Sequence, residues 1–592
     1  MNKYAVYHKA KSNFCYAYSE NEIHIRIKTA KDDCDKIELI FGDKYEWHRA
    51  KTVEMKKEYS DCDYDYYLVS LKNIAKRLSY YFSLYSKGVK YTYTEYGFLD
   101  KFSPGDEHFF IFHYPFINKE DIHQVPEWVK EAVFYQIFPD RFAIGDHREK
   151  TYPLSKWDSK PKWNSYYGGD LEGIRQNIPY LKDLGITAIY LTPIFKSTSN
   201  HKYNTNDYME IDPDFGTKED FKRLVNEAHE NGIKIVLDAV FNHSGQDFFA
   251  FKDLLENQEN SKYKDWFHVK KFPVDFEGLV KLTKKKGWKD WYLDEKTGED
   301  ILSYHTFAHA PYMPKLNTEN KELKEYLLEV SRYWIREFDI DGWRLDVANE
   351  VDHQFWREFR TAVKETKADA YIVGEIWHDS TPWLQGDQYD AVMNYSLTFN
   401  MIKYFAKGEL TTKEFREILV TILMRYSKQV NEVMLNLLDS HDTARFINKA
   451  GLDPKKLMLA ELFMFSFVGA PMFYYGTEIG MTGEDDPDCR KGMVWDEKKW
   501  DKNIFAFMKK LIAVRKENKT LSLGDVRFIE NEDFLIFERY LEDEIITIVI
   551  NNDSTEKQFA LPKELVGKKD LMTDKVLGNT VTLEALSGLI IG

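Results

Sequence analysis

Three acidic residues stand where they could do chemistry together. Asp346 lies in Gly342-Trp-Arg-Leu-Asp346-Val-Ala-Asn-Glu350, Glu375 in Val373-Gly-Glu375-Ile-Trp377, and Asp442 in Leu438-Asp-Ser-His441-Asp442-Thr443. Each follows a short apolar run of the kind that forms a buried strand. Acids delivered to one rim by successive strands can converge on a single bond, and each has a polar neighbour suited to sugar hydroxyls. An ion pair with Arg344 that closes a strand would account for Asp346 alone. It would not account for Glu375 and Asp442 as well.

Such convergence needs a scaffold with parallel strand ends on one face. From about residue 130 the pattern alternates strand and helix. Eight apolar runs read as strands: 132–137, 186–191, 233–240, 342–346, 370–373, 391–393, 433–438 and 471–475. Between the second and third runs, Thr217 and Asp220 form an acidic capping box. Phe221, Leu224, Val225 and Ala228 make one apolar stripe, and Gly232 ends the helix. A second helix is expected over 321–338. Eight strands alternating with helices predict a (β/α)8 TIM barrel, whose sites lie at the C-terminal strand ends.

The remaining segments divide accordingly. Residues 1–121 read as an N-terminal β-sandwich, with period-two alternation at 23–27 and 36–40 and a β-prone run at 64–71. The barrel is expected over 122–243 and 318–517. Residues 244–317, too long for a barrel loop, are expected to form an inserted subdomain after the third strand. Residues 518–592 form a second β-domain, with strands at 526–529, 534–537 and 545–550.

Composition narrows the partners. The 592 residues carry 97 acidic against 82 basic side chains, a formal charge of −15, which disfavours nucleic acid or an anionic membrane. Aromatics make up 16% of the chain; they serve the core first, yet flat rings also suit pyranose faces. The four cysteines have no metal-ligand spacing. No apolar stretch is long enough to span a bilayer, and no signal-peptide pattern opens the chain. A cytoplasmic location is expected.

With these segments placed, the chain resembles the α-amylase family of retaining glycoside hydrolases, within it the cyclomaltodextrinase, neopullulanase and maltogenic amylase group. Four motifs occur in the family's order: Asp238-Ala-Val-Phe-Asn242-His243, Gly342-Trp-Arg344-Leu-Asp346, Gly374-Glu375-Ile-Trp377 and His441-Asp442. Val347-Ala-Asn349-Glu350, Met313-Pro-Lys-Leu-Asn317 and the N-terminal domain, which resembles a starch-binding type, point to the subgroup.

The resemblance implies Asp346 as nucleophile, Glu375 as acid/base, and Asp442 as the carboxylate that holds sugar hydroxyls. Glu375 would then need a raised pKa, while Asp346 beside Arg344 stays ionised. His243 and His441 are implied as hydroxyl donors and Tyr203 as the ring beneath the reacting sugar. Phe307 and Trp377, with Asn349 and Glu350, would face the acceptor; Asp486 and Arg490 would face the donor. Arg344 joins this substrate-binding set. No cofactor is implied for the chemistry. Relatives bind structural calcium near the first strand, and Asp146, Gly168 and Asp170 fit that pattern, whereas Ile144 replaces an oxygen ligand. A direct contact from Asp170 to the loop backbone is the other reading.

The implied activity is cleavage of α-1,4 bonds in cyclodextrins, maltooligosaccharides and pullulan, with transglycosylation. A homodimer through the N-terminal domain is implied too. The rivals are an oligo-1,6-glucosidase or glucan-transferring relative, and an inactive carbohydrate-binding scaffold.

Overall fold

A computed structural model describes residues 1–100, 102, 110–145, 149–284 and 301–592. The central element is a sheet of 8 parallel strands. In chain order these are Phe134–Ile137, Ala188–Leu191, Lys234–Ala239, Gly342–Leu345, Tyr371–Gly374, Ala391–Val392, Leu435–Leu437 and Ala470–Tyr474. Neighbours run 6-5-4-3-2-1-8-7, and a parallel bridge between Met393 and Leu435 joins the sixth to the seventh. The sheet therefore closes on itself as a barrel. Nearly every barrel-strand residue is buried, as expected when helices cover the outer face and side chains fill the inner one.

The helices form where the sequence leads one to expect them. Lys218–Glu230 starts on a two-way capping box between Thr217 and Asp220 and ends at Asn231 and Gly232, the latter at φ 74°. It buries Phe221, Leu224, Val225 and Ala228. Lys321–Phe338 buries Leu327, Trp334 and Phe338, and Trp334 donates its indole N–H to the Tyr208 carbonyl at 2.8 Å.

Between the third and fourth barrel strands the insert contributes helices Phe249–Asn257 and Phe276–Lys284. Its last stretch runs back antiparallel to the end of the third strand, with bridges pairing His243 with Lys315 and Phe267 with Leu316. The Lys284–Lys286 run extends outside the described residues.

The described residues up to His113 form a β-sandwich of a 4-stranded and a 6-stranded sheet. Glu22–Ala30, Lys36–Asp43 and Tyr64–Lys72 cover the expected strands, and Ile23, Ile25, Ile37, Leu39, Phe82 and Leu84 fill a core separate from the barrel's. The final domain is a 6-stranded sheet with a 2-stranded companion. No helix among the described residues is long and apolar enough to cross a membrane.

Candidate active site

Strand register brings the acids together. Leu345 on the fourth strand pairs with Gly374 on the fifth, so Asp346 and Glu375 leave neighbouring strands in step. A side chain at Gly374 would put its Cβ 2.8 Å from the Tyr389 ring, so only glycine lets the fifth strand lie there. One step back, Asp238 pairs with Arg344.

Arg344 is the hub. Its Nη1 lies 3.0 Å from Asp238 Oδ1 and 2.9 Å from Asp346 Oδ1, and its Nη2 lies 2.9 Å from Glu375 Oε2. One buried guanidinium thus faces three carboxyls, too little positive charge for all three to ionise freely away from water. Burial pushes the Asp238 carboxyl up to about 6 against the pull of Arg344. Burial likewise raises Asp346 well above the carboxylate range, opposed by Arg344 and reinforced by the neighbouring acids. Burial and the neighbouring acids thus oppose the ionisation of Asp346 that Arg344 was expected to favour.

Glu375 is fixed at both oxygens. The Trp377 indole N–H donates to Oε1 and the Val347 backbone N–H to Oε2, both at 3.0 Å. Val347 adopts φ 45°, a left-handed conformation costly for a β-branched residue, and this aims its N–H at the acid.

Asp442, beyond the seventh strand, lies 3.1 Å from Arg490 Nη2, and the same nitrogen lies 3.1 Å from Asp486 Oδ2. Burial raises Asp486 to about 6 despite Arg490. Tyr203 stacks on His441 at 5.4 Å and 2°. With Gln136 donating to His441 Nδ1, the imidazole carries its hydrogen on Nε2, which meets Tyr203 Oη at 2.5 Å; Tyr203 in turn donates to Asp238 at 2.9 Å. Burial holds His441 well below its ordinary pKa, and lowers His243 to about 3, so both rings are neutral.

These groups surround one cavity of about 470 Å³. Asp346, Glu375 and Asp442 line it, with Tyr203, His243, Phe307, Asn349, Trp377, Asp486 and Arg490. Phe307 stacks on His243 at 4.9 Å, and Trp377, 41% exposed, stacks on Tyr395 at 4.1 Å, and both rings line the cavity.

Three residues expected to meet sugar do not reach the cavity. Arg344 is sealed behind the acids it pairs with. His441 is fully buried and supports Tyr203 and Asp442 from behind. Glu350 turns away, its carboxylate toward Lys315 at 3.4 Å.

Sequence reasoning missed His201 and Trp163, which also line the cavity. His201 lies two residues before Tyr203 in the chain. Trp163 sits in a loop whose carbonyl accepts a hydrogen bond from Asn200, and nothing local marks it. Asp238, noticed only as a motif's first residue, carried a signal: an acid inside an apolar buried strand must have partners.

Among the described residues, the expected calcium position does not suit a divalent ion. Asp146 lies outside the described residues. Asp170 caps the helix Leu171–Gln176, accepting from Gly173 N–H at 2.7 Å and from Gly145 N–H at 3.0 Å, the direct loop contact considered above. Its other oxygen meets the Lys150 ammonium at 3.0 Å, and Lys150 also donates to the Asp214 carbonyl at 2.8 Å. Gly168 contributes only its N–H, to Asp140 at 3.0 Å. A resident ammonium takes the place where a cation would sit, and calcium would need six to eight oxygens.

The comparisons decide the family. A profile described as "Alpha amylase, catalytic domain" matches residues 136–499, and "Alpha amylase, N-terminal ig-like domain" matches residues 1–118. The chain belongs to the alpha-amylase family of glycoside hydrolases. It is 48% identical to a cyclomaltodextrinase from Geobacillus thermopakistaniensis, over 96% of this chain and 94% of that one. It is 45% identical to a maltogenic alpha-amylase from Bacillus acidopullulyticus, covering 99% and 98%. A solved cyclomaltodextrinase structure superposes over 100% of both chains at TM-score 0.92 and 42% identity. As a member of this family, the protein is an enzyme whose acids sit at the barrel rim.

Proposed function

We propose that the enzyme is a retaining hydrolase of α-1,4 glucosidic bonds in cyclodextrins, maltooligosaccharides and pullulan, with transglycosylation as a second outcome. The observation that carries this reading is the pairing of Asp346 and Glu375 on one guanidinium, opposite Asp442 across one cavity. Two ion-pair contacts and the width of one guanidinium bound the separation of the two carboxyls. Groups so close can flank one glycosidic linkage.

In this mechanism Asp346 attacks the anomeric carbon while Glu375 delivers its proton to the leaving oxygen. The C1–O bond to the leaving sugar breaks, and an ester to Asp346 forms. Glu375, now a carboxylate, takes a proton from water or from a sugar hydroxyl, which displaces Asp346 with net retention. Arg344 stabilises the carboxylate charge that returns to Asp346. The N–H groups of Trp377 and Val347 hold Glu375 in position through both steps. Asp442 and Arg490 engage hydroxyls of the reacting sugar, Asp486 the donor side, and Phe307, Trp377 and Asn349 the acceptor side. The relatives' names, cyclomaltodextrinase and maltogenic alpha-amylase, support small α-glucans as substrates.

The reading includes a cytoplasmic location, supported by four cysteines that are all free, as in a reducing compartment. It also includes glucan contact by the N-terminal sandwich and a homodimer through it. The test is product analysis on β-cyclodextrin, pullulan and soluble starch side by side, with the anomeric form read by NMR. Ring opening faster than starch attack, with α-products, is expected; inverted products would end the proposal. Glu375→Gln should lower activity about 10²–10⁴-fold.

A further inference from the structure

We infer that Lys315 is a positioning residue: its ammonium anchors the turn Val347–Glu350, and through it governs capture of a sugar acceptor over water. The inference rests on the hydrolase reading above.

Lys315 comes from the insert, but its backbone is tied to the barrel. It bridges His243, and Leu316 N–H donates to the Asn242 carbonyl at 3.0 Å. The side chain is only 21% exposed. Its Nζ donates to Asn242 Oδ1 and to the Glu350 carbonyl at 2.9 Å, and lies 3.4 Å from Glu350 Oε2. An ammonium has three hydrogens to give, and here three oxygens on two barrel loops receive them.

The turn needs such an anchor. Val347 at φ 45° holds a strained backbone, which persists only where the surroundings impose it. Its near end is held by Glu375. Its middle is held through the Ala348 carbonyl, which accepts from Trp356 Nε1 at 2.9 Å and Tyr389 Oη at 3.1 Å. The far end, Glu350, is held by Lys315. Asn349 lies between and lines the cavity. Loss of the ammonium therefore loosens the side of the turn that meets the acceptor, while the tie to Glu375 remains.

In the transfer step the C1–ester bond to Asp346 breaks, a C1–O bond to the acceptor hydroxyl forms, and that hydroxyl's proton goes to Glu375. Water follows the same path with less need of placement.

The experiment uses α-maltosyl fluoride as donor and maltose as acceptor. Fluoride leaves without an acceptor-side sugar, so its release reads ester formation, and tetrasaccharide yield reads transfer. For Lys315→Met, transfer relative to fluoride release should fall about ten-fold, with fluoride release within about three-fold of wild type. Lys315→Arg, which keeps charge and donors, should recover most of the transfer. Should the methionine variant not fold, Lys315→Gln carries the same expectation. If wild type releases no fluoride, the hydrolase reading falls and this inference with it. If wild type releases it and Lys315→Met transfers as well, or loses both steps in equal proportion, the inference alone falls.

Discussion

A buried carboxyl with no partner is the simplest electrostatic object in this molecule, and it lies outside the catalytic cluster. Glu461, on the helix Pro454–Ser466, is fully buried, and neither of its oxygens has a hydrogen-bond partner among the described residues. Burial raises its pKa well above 4.5, helped by Asp439 and Glu478. The folded state thus holds this proton more tightly than the unfolded chain does. Its contribution to stability is full below pH 4.5 and is lost as pH rises toward the folded value. Glu461→Gln should remove that loss. Its stability gain over wild type should grow by about 1.4 kcal/mol per pH unit above the unfolded pKa, measured by urea unfolding between pH 5 and 8. The same physics separates what could be read in the active-site sequence from what could not. Asp346, Glu375 and Asp442 were legible because each ends an apolar run. The electrostatic surroundings of Asp346 were not, because they include Asp238, which arrives from another strand and pairs with the same Arg344. His441 shows a related limit: adjacency to Asp442 suggested sugar contact, but only packing could reveal that Gln136 and Tyr203 consume both ring nitrogens.

Among the elements, the loop after the first barrel strand is tied down by a lysine ammonium. Lys150 links Asp170, at the start of the first barrel helix, to the Asp214 carbonyl, which lies before the helix Lys218–Glu230. A lysine so placed needs no bound ion. Dialysis against a chelator should leave the melting temperature unchanged, whereas Lys150→Met should destabilise by about 3 kcal/mol by stranding buried Asp170. A drop of several degrees on chelation alone would contradict this. The elements themselves were largely legible. Thr217, Asp220 and Gly232 mark both ends of a helix by local chemistry, and apolar runs bounded by polar turns mark all eight barrel strands. The insert was legible only as an excess of length, since its fold depends on aromatic contacts such as Phe251 with Tyr304 at 5.2 Å, which no local pattern encodes. Lys150 was equally invisible, because its partner lies 20 residues on and Asp214 farther still.

At the scale of the whole molecule, the N-terminal sandwich is fastened to the barrel by polar contacts. Arg26 donates to the Tyr426 carbonyl at 2.8 Å, and Gln429 donates to the Ala17 carbonyl at 2.9 Å. Elsewhere the sandwich leaves large aromatics exposed, Tyr45 at 73% and Tyr96 at 68%. These are rings that a second subunit or a glucan could cover. Analytical ultracentrifugation at micromolar concentration should detect a dimer, and Tyr45→Ser should shift it toward monomer; a wild-type monomer throughout would remove the dimer from the proposal. The sandwich also touches the last domain, where Tyr59 donates its hydroxyl to the Val526 carbonyl at 2.6 Å across 467 positions of chain. On a ribosome adding about 5–20 residues per second, the sandwich would emerge and close its own core roughly 20–80 s before that partner exists. For that interval a finished module must wait with its docking face bare, which makes the nascent chain, more than the mature enzyme, the form most in need of chaperone cover.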